Sequence, residues 1–301
     1  MQVNIDQHAG FCWGVVRTID IAEDTLQNKN DEDVNVLGHI IHNPKEIDRL
    51  ENKGLNTVDH NDLDNLPEGS NVIIRAHGEP PSTYQKAKEK GLNLIDATCP
   101  LVTALQNRVV KYYNLGYQIV IFGKREHAEV IGLRGVCNDE AIVIRNVEEA
   151  KQLVDFDRKT VLISQTTMKK PIFREVKKIL EEKINKLIDA GEIDDKLLAR
   201  DTTCRAVTHR EEPLLEFAGE QDVMIFVSGR KSSNGKSLFQ ALNKKHPRSY
   251  FIENIEEIDW DWFDGAKEVG ISGATSTPQW FMEKVKKVIE EKFNNKEKVS
   301  A

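Results

Sequence analysis

The chain has 301 residues, 39% hydrophobic and 30% charged, with a formal net charge of -7. That length and apolar content can bury the cores of two or three ordinary domains, and the acidic balance argues against general nucleic-acid binding. An anionic small molecule is not excluded, because it responds to the local field of its pocket. No apolar run reaches the ~18 residues of a membrane helix. MQVNIDQHAG at the start lacks the basic and apolar regions of a secretory signal. Four cysteines in this length point to a reducing cytoplasm, with thiols serving as ligands or catalysts rather than as disulfides.

In chain order, short β-branched runs predict strands at 34–38 (VNVLG), 71–76 (NVIIRA), 93–97 (NLIDA), 117–123 (YQIVIFG) and 141–145 (AIVIR). Further strands are expected at 160–164 (TVLIS), 222–229 (DVMIFVSG), 249–253 (SYFIE) and 268–273 (EVGISG). Amphipathic periodicity predicts helices between them, among them 15–27, 81–90, 103–116, 174–190 and 278–293. The polar tail NNKEKVSA, 294–301, is expected to fray. Alternation of helices with continuous apolar strands indicates parallel α/β units.

Three cysteine segments line up as GFCWGVV, ATCPLVT and TTCRAVT, each with a valine three places after Cys12, Cys99 or Cys204. Each opens a helix-like segment, and Pro100 starts its helix without needing a backbone donor there. A second polar loop keeps register: His42 stands 30 residues after Cys12, His127 28 after Cys99, and Ser232 28 after Cys204. A third loop brings His77, Thr166 and Ser276, which follow their cysteines by 65, 67 and 72 residues. Such an internal period predicts an α/β fold of three similar domains with mainly parallel sheets, around a pseudo-threefold axis and a central site. The expected units are 1–97, 98–200 and 201–283, with 284–301 as the end of the last helix and a tail packing on the first unit.

Three thiols at such strand ends suit a soft metal. There is no CxxC, which argues against a zinc ribbon or a thioredoxin-like site. Iron–sulfur clusters ordinarily take four thiolates, so three leave one iron open, and at a catalytic metal the open position receives substrate. A single cysteine is more often a small buried residue; matching contexts favour ligation for these three, whereas Cys137 lies outside the pattern and reads as a bystander. His42, His77 and His127, in loops or at helix starts, suit hydrogen bonding to phosphate oxygens, although a lone histidine is more often a surface or packed residue. Ser232, Ser233 and Asn234 lie in SGRKSSNGKS, which is not a GxxxxGK[ST] loop. They offer hydroxyls, an amide and free N–H groups at a helix start, and they also suit plain capping. SQTTMKKP and SGATSTPQW repeat this hydroxyl chemistry ahead of a proline-started helix. Glu129 follows His127 by two residues; beside a bound anion its pKa rises and it becomes a general acid, the commoner fate of a glutamate being a cap or a solvated side chain.

With GFCWGV, DATCPLV, HAEVIG, SQTT, DTTCRAVTHR, SSN and STP in this order, the chain resembles the 4-hydroxy-3-methylbut-2-enyl diphosphate reductases, the IspH/LytB family, from Cys12 to Pro278. The resemblance implies a cytoplasmic enzyme that reductively dehydroxylates 4-hydroxy-3-methylbut-2-enyl diphosphate to isopentenyl and dimethylallyl diphosphates, the last step of the methylerythritol phosphate pathway. It implies a [4Fe-4S] cluster on Cys12, Cys99 and Cys204 with an open fourth iron, seen as [3Fe-4S] once oxidised. By the same resemblance, His42, His77, His127, Thr166, Thr167, Ser232, Ser233, Asn234 and Ser276 bind substrate. Glu129 is the proton donor, Thr166 a relay, and ferredoxin or flavodoxin the electron donor, with no nucleic acid or membrane as partner. The sequence departs from the family pattern at Trp13, at THRE after the third cysteine and in ISGATSTP, and none of these removes a ligand or the acid. The rival readings are a zinc-dependent phosphoester hydrolase or lyase and a non-enzymatic iron–sulfur sensor. Colour separates the first, since zinc leaves the protein colourless, and dispensability of Glu129 separates the second.

Overall fold

Strands such as QIVIF and TVLIS are apolar at successive positions, so both of their faces must be covered, and helices do the covering. The computed structural model describes residues 1–28 and 33–299. Its chain begins with β1 (Gln2–Ile5) and α1 (Trp13–Gln27). It then builds a sheet from β2 (Val34–Leu37), β3 (Leu55–Val58), β4 (Asn71–Ile74) and β5 (Asn93–Asp96), with α2 (Pro44–Glu51) and α3 (Pro81–Glu89) in the connections. Helix α4 (Pro100–Asn114) leads to a second sheet of β6 (Gln118–Phe122), β7 (Ile142–Ile144), β8 (Thr160–Ser164) and β9 (Leu198–Arg200). Its connections hold α5 (Ala128–Gly135), α6 (Val147–Leu153) and α7 (Lys170–Asp189). Helices α8 (Arg205–Thr208) and α9 (Glu211–Ala218) precede β10 (Val223–Val227), α10 (Ser233–Lys245), β11 (Ser249–Ile252), β12 (Glu268–Gly273) and α11 (Gln279–Val299).

The strand orders are β3-β2-β4-β5, β7-β6-β8-β9 and β11-β10-β12-β1, and the pairings within them are parallel. One order therefore recurs three times, but the third sheet takes its fourth strand from the start of the chain: Gln2 to Ile5 pair in register with Glu268 to Ile271. The internal repeat is real in topology and cyclically permuted. Segment 1–97, expected as one unit, lends its first strand to the sheet of segment 201–283.

By compactness the chain divides into two units, Met1–Val16 with Ile41–Lys53 and Arg205–Ala301, and Arg17–Ile40 with Gly54–Cys204. In the first unit, Val3, Val223, Ile225, Val269 and Ile271 meet Phe281, Met282, Val285 and Ile289 of α11. Met224 and Phe226 turn the other way, onto Leu214 of α9 and Leu238 and Leu242 of α10. In the second unit the same alternation splits the β6–β8 strands. Ile119, Ile121, Val161 and Ile163 pack on α4 and α5, whereas Val120, Phe122 and Leu162 pack on α6 and α7. Fraying is expected from Asn294 onward, but α11 continues as helix to Val299; residues 300 and 301 lie outside the described residues. Among the described residues no helix is long and apolar enough to cross a membrane.

Candidate active site

Every polar position singled out by the repeat lies beyond the carboxyl end of a parallel strand, where open α/β sheets bind ligands. After the third strand of each sheet the chain makes the same turn. The closing bonds run from Gly78 N–H to Arg75 O (3.0 Å), from Met168 N–H to Gln165 O (3.2 Å) and from Thr277 N–H to Ala274 O (3.0 Å). The central pairs are thus Ala76–His77, Thr166–Thr167 and Thr275–Ser276. The cysteine after the fourth strand then donates its N–H to the first member of the pair. Cys99 bonds Ala76 O at 3.0 Å, Cys204 bonds Thr166 O at 2.8 Å and Cys12 bonds Thr275 O at 3.1 Å. This register shifts the sequence alignment by one place: Thr167, rather than Thr166, stands where His77 and Ser276 stand.

After the first strand of each sheet a polar residue caps a helix. Asn43 Oδ1 accepts from Lys45 N–H at 3.1 Å, His127 Nδ1 from Glu129 N–H at 3.2 Å, and Ser232 Oγ from Gly235 N–H at 3.0 Å. The cap shared by the three repeats is therefore Asn43, His127 and Ser232, and His42 precedes its cap. Because His127 accepts through Nδ1, the proton of its neutral ring sits on Nε2. The His77 ring stands edge-on to His127 with centroids 5.3 Å apart.

Glu129 lies in the first turn of α5 and is only 1% exposed. Its carboxylate accepts from Thr166 N–H at 2.7 Å and from Thr166 Oγ1–H at 2.6 Å. Burial pushes its pKa up to about 7, against the pull of the two Thr166 donors. Gln165, which the sequence reading passed over, is fully buried beside this pair: its Oε1 accepts from Lys124 N–H (3.0 Å) and its Nε2 donates to Thr167 Oγ1 (2.8 Å). It ties the loop after β6 to the turn after β8.

In the other unit, Ser276 Oγ reaches Ser232 Oγ at 3.4 Å and Asn234 Nδ2 donates to Thr275 Oγ1 at 2.9 Å, leaving Asn234 Oδ1 buried without a partner. The loop before Ser232 packs against the residues around His42. A Cβ on Gly229 would fall 2.1 Å from His42 O and 3.0 Å from His42 C, so only glycine permits that approach.

Cys12, Cys99 and Cys204 are all of intermediate exposure. Cys99 occupies the N-cap of the 15-residue helix α4. Cys137 differs in every respect. It is fully buried in the core under β6, its thiol donates to the carbonyls of Leu133 (3.4 Å) and Arg134 (3.2 Å), and burial pushes its pKa up to about 11. The bystander reading fits that environment.

Residues 3–290 match the family described as LytB protein. The 4-hydroxy-3-methylbut-2-enyl diphosphate reductase of Chloroherpeton thalassium is 43% identical, over 97% of this chain and 98% of that protein. The enzyme of that name from Prosthecochloris aestuarii is 42% identical over 98% and 100%. Among solved structures, an (E)-4-hydroxy-3-methyl-but-2-enyl diphosphate reductase, described as the terminal enzyme of the non-mevalonate pathway, is similar with a TM-score of 0.71 and 37% identity. It covers 97% of this chain and 100% of its own. The E-1-hydroxy-2-methyl-but-2-enyl-4-diphosphate reductase of Plasmodium falciparum has a TM-score of 0.83 at 25% identity, over 96% of this chain and 87% of its own. On sequence and fold alike, this chain belongs to the LytB family.

Proposed function

We propose that this chain is a 4-hydroxy-3-methylbut-2-enyl diphosphate reductase: it takes two electrons and two protons, breaks the allylic C–O bond, releases water and yields isopentenyl or dimethylallyl diphosphate. The observation that carries the chemistry is the buried Glu129 carboxyl, held by Thr166 and poised near neutrality. A hydroxyl is a poor leaving group and must be protonated as it departs, which calls for an acid of that strength.

The cofactor in this reading is a [4Fe-4S] cluster with Cys12, Cys99 and Cys204 as ligands and one open iron. The donor set fits such a group: three part-exposed cysteines, and, bonded to Gly10 two residues before Cys12, the part-buried Arg210, whose Nη1 meets no acceptor among the described residues. When bound, the cluster supplies the electrons singly and a Lewis-acidic site for the hydroxyl. The remaining work falls to the chain. His42, His77 and His127 with Ser232, Ser233, Asn234, Ser276 and Thr167 hold the diphosphate, fixing a small flexible substrate by its charged end. Glu129 in its acid form passes a proton to Thr166 Oγ1, which hands its own towards the leaving oxygen; along the 2.6 Å Glu129–Thr166 contact the protonated carboxyl then donates and Oγ1 accepts, the reverse of the bond made to the carboxylate. Electrons come from a small carrier such as ferredoxin or flavodoxin, and the setting is the cytoplasm.

The test is anaerobic purification followed by incubation with the allylic diphosphate and a strong reductant. Iron and sulfide in the protein, with formation of the two isomeric diphosphates, are expected. A colourless zinc protein, or inorganic phosphate as the product, would overturn the reading.

A further inference from the structure

Arg210 caps no substrate loop and belongs to no motif of the repeat, yet it is part-buried, with Nη1 out of contact with solvent. Nη2 donates to the carbonyl of Gly10 at 2.8 Å, two residues ahead of Cys12. Gly10 is held at φ +102°, a conformation that favours glycine and helps set where that carbonyl points. Nη1 is buried with no acceptor. Among the described residues no carboxylate forms an ion pair with Arg210. Burial works against its charge, and only Asp6 and Cys12 lie close enough to oppose that. Asp6 is already engaged, with Oδ1 accepting from His8 N–H at 2.8 Å and Oδ2 from Ser272 Oγ–H at 2.7 Å. A part-buried cation with a buried, spare N–H and an occupied carboxylate neighbour is better satisfied when a further anion meets it.

We infer that Arg210 is a tuning residue for the cofactor: its fixed positive charge, anchored on Gly10 two residues before the Cys12 ligand, stabilises the more negative, reduced state and raises the reduction potential. The inference rests on the iron–sulfur reading above. Charge and hydrogen bonds around the sulfur ligands are the general means by which a protein sets such a potential. A cluster made easier to reduce can draw electrons from a mild carrier, so the benefit is greatest with a weak donor.

The experiment is a spectroscopically monitored redox titration of anaerobically reconstituted wild type, Arg210→Lys and Arg210→Gln, with iron and sulfide measured on each sample. Potentials should fall in the order wild type, Lys, Gln. Turnover of Arg210→Gln should drop more with a weak reductant than with a strong one. If the Gln variant does not load, Arg210→Lys decides: an ammonium keeps the charge but cannot reproduce both N–H positions, so its potential must still lie below wild type. A loaded variant with the wild-type potential overturns the role of Arg210 and leaves the reductase reading intact. Wild type without iron and sulfide overturns both.

Discussion

Two glutamates, one in each compact unit, are buried to the same extent at the starts of eight-residue helices, and their surroundings separate them. Glu46, three residues after the cap Asn43, is 1% exposed, as is Glu129, two residues after the cap His127. Glu46 accepts from Arg49 Nε at 2.9 Å and from Trp280 Nε1 at 2.7 Å, with a second, shorter bond to Arg49 Nη2. A cation and an indole compensate it, and it fastens α2 to the first turn of α11. Among the described residues Glu129 meets no cation, only the two neutral donors of Thr166, and so burial prevails and lifts its pKa to about 7. Burial alone does not lift a carboxyl towards neutrality; burial without a countercharge does.

The largest effect expected from breaking this contrast is on Glu129→Gln. The amide keeps the shape but cannot deliver a proton, so steady-state turnover should fall by about 10²–10⁴-fold. Iron and sulfide content should match wild type, because the thiol ligands are untouched. Undiminished turnover would return Glu129 to the role of a buried cap.

Thr166→Val sharpens the same point with a smaller effect. It removes the Oγ1 donor and keeps the N–H, so one of the two groups stabilising the ionised carboxylate is lost. Glu129 is then harder to ionise, and its acid form persists to higher pH. The alkaline fall in kcat, set in wild type by a group near 7, should move up by about one unit, the equivalent of one hydrogen bond to a charged group. Maximal turnover should also drop about tenfold through loss of the relay. A pH–rate profile measures both, and an unmoved alkaline limb would break the link between Thr166 and the acid.

How much of this was legible in the sequence depended on range. The three cysteines, the polar loops and Glu129 were found because a repeat places them at strand ends, and strands such as VMIFV and TVLIS announce themselves by continuous apolar runs. The strands β1, β3 and β9 were not expected. Each is three or four residues long, lies at a sheet edge and is partly exposed, so QVNI, LNTV and LAR carry no such run. The partner of β1 begins at Glu268, and no local pattern marks a pairing that distant. The one-place shift of Thr166 arose because spacing counts loop residues, whereas the turn is defined by hydrogen bonds that spacing does not see. Gln165 and Arg210 bond to Lys124 and Gly10, remote in sequence, and nothing beside them in the chain signals it.

The smallest effect completes the comparison by removing one donor from the other glutamate. Trp280→Phe deletes the indole N–H to Glu46 and keeps most of the ring. Arg49 remains, with its two bonds and its charge, so Glu46 is still compensated. The loss should be about 1 kcal/mol, since Trp280 is itself 36% exposed and water can take over part of the bond. Thermal unfolding should show it as a drop in Tm of about 2–4 °C. The pH–rate profile should stay where it is, in contrast to Thr166→Val, because one donor among three on a charge-paired carboxylate is replaceable and one of two on an unpaired carboxylate is not. A Trp280→Phe profile that moved with pH would mean that Glu46 also takes part in proton delivery, and the distinction between the two buried carboxylates would fail.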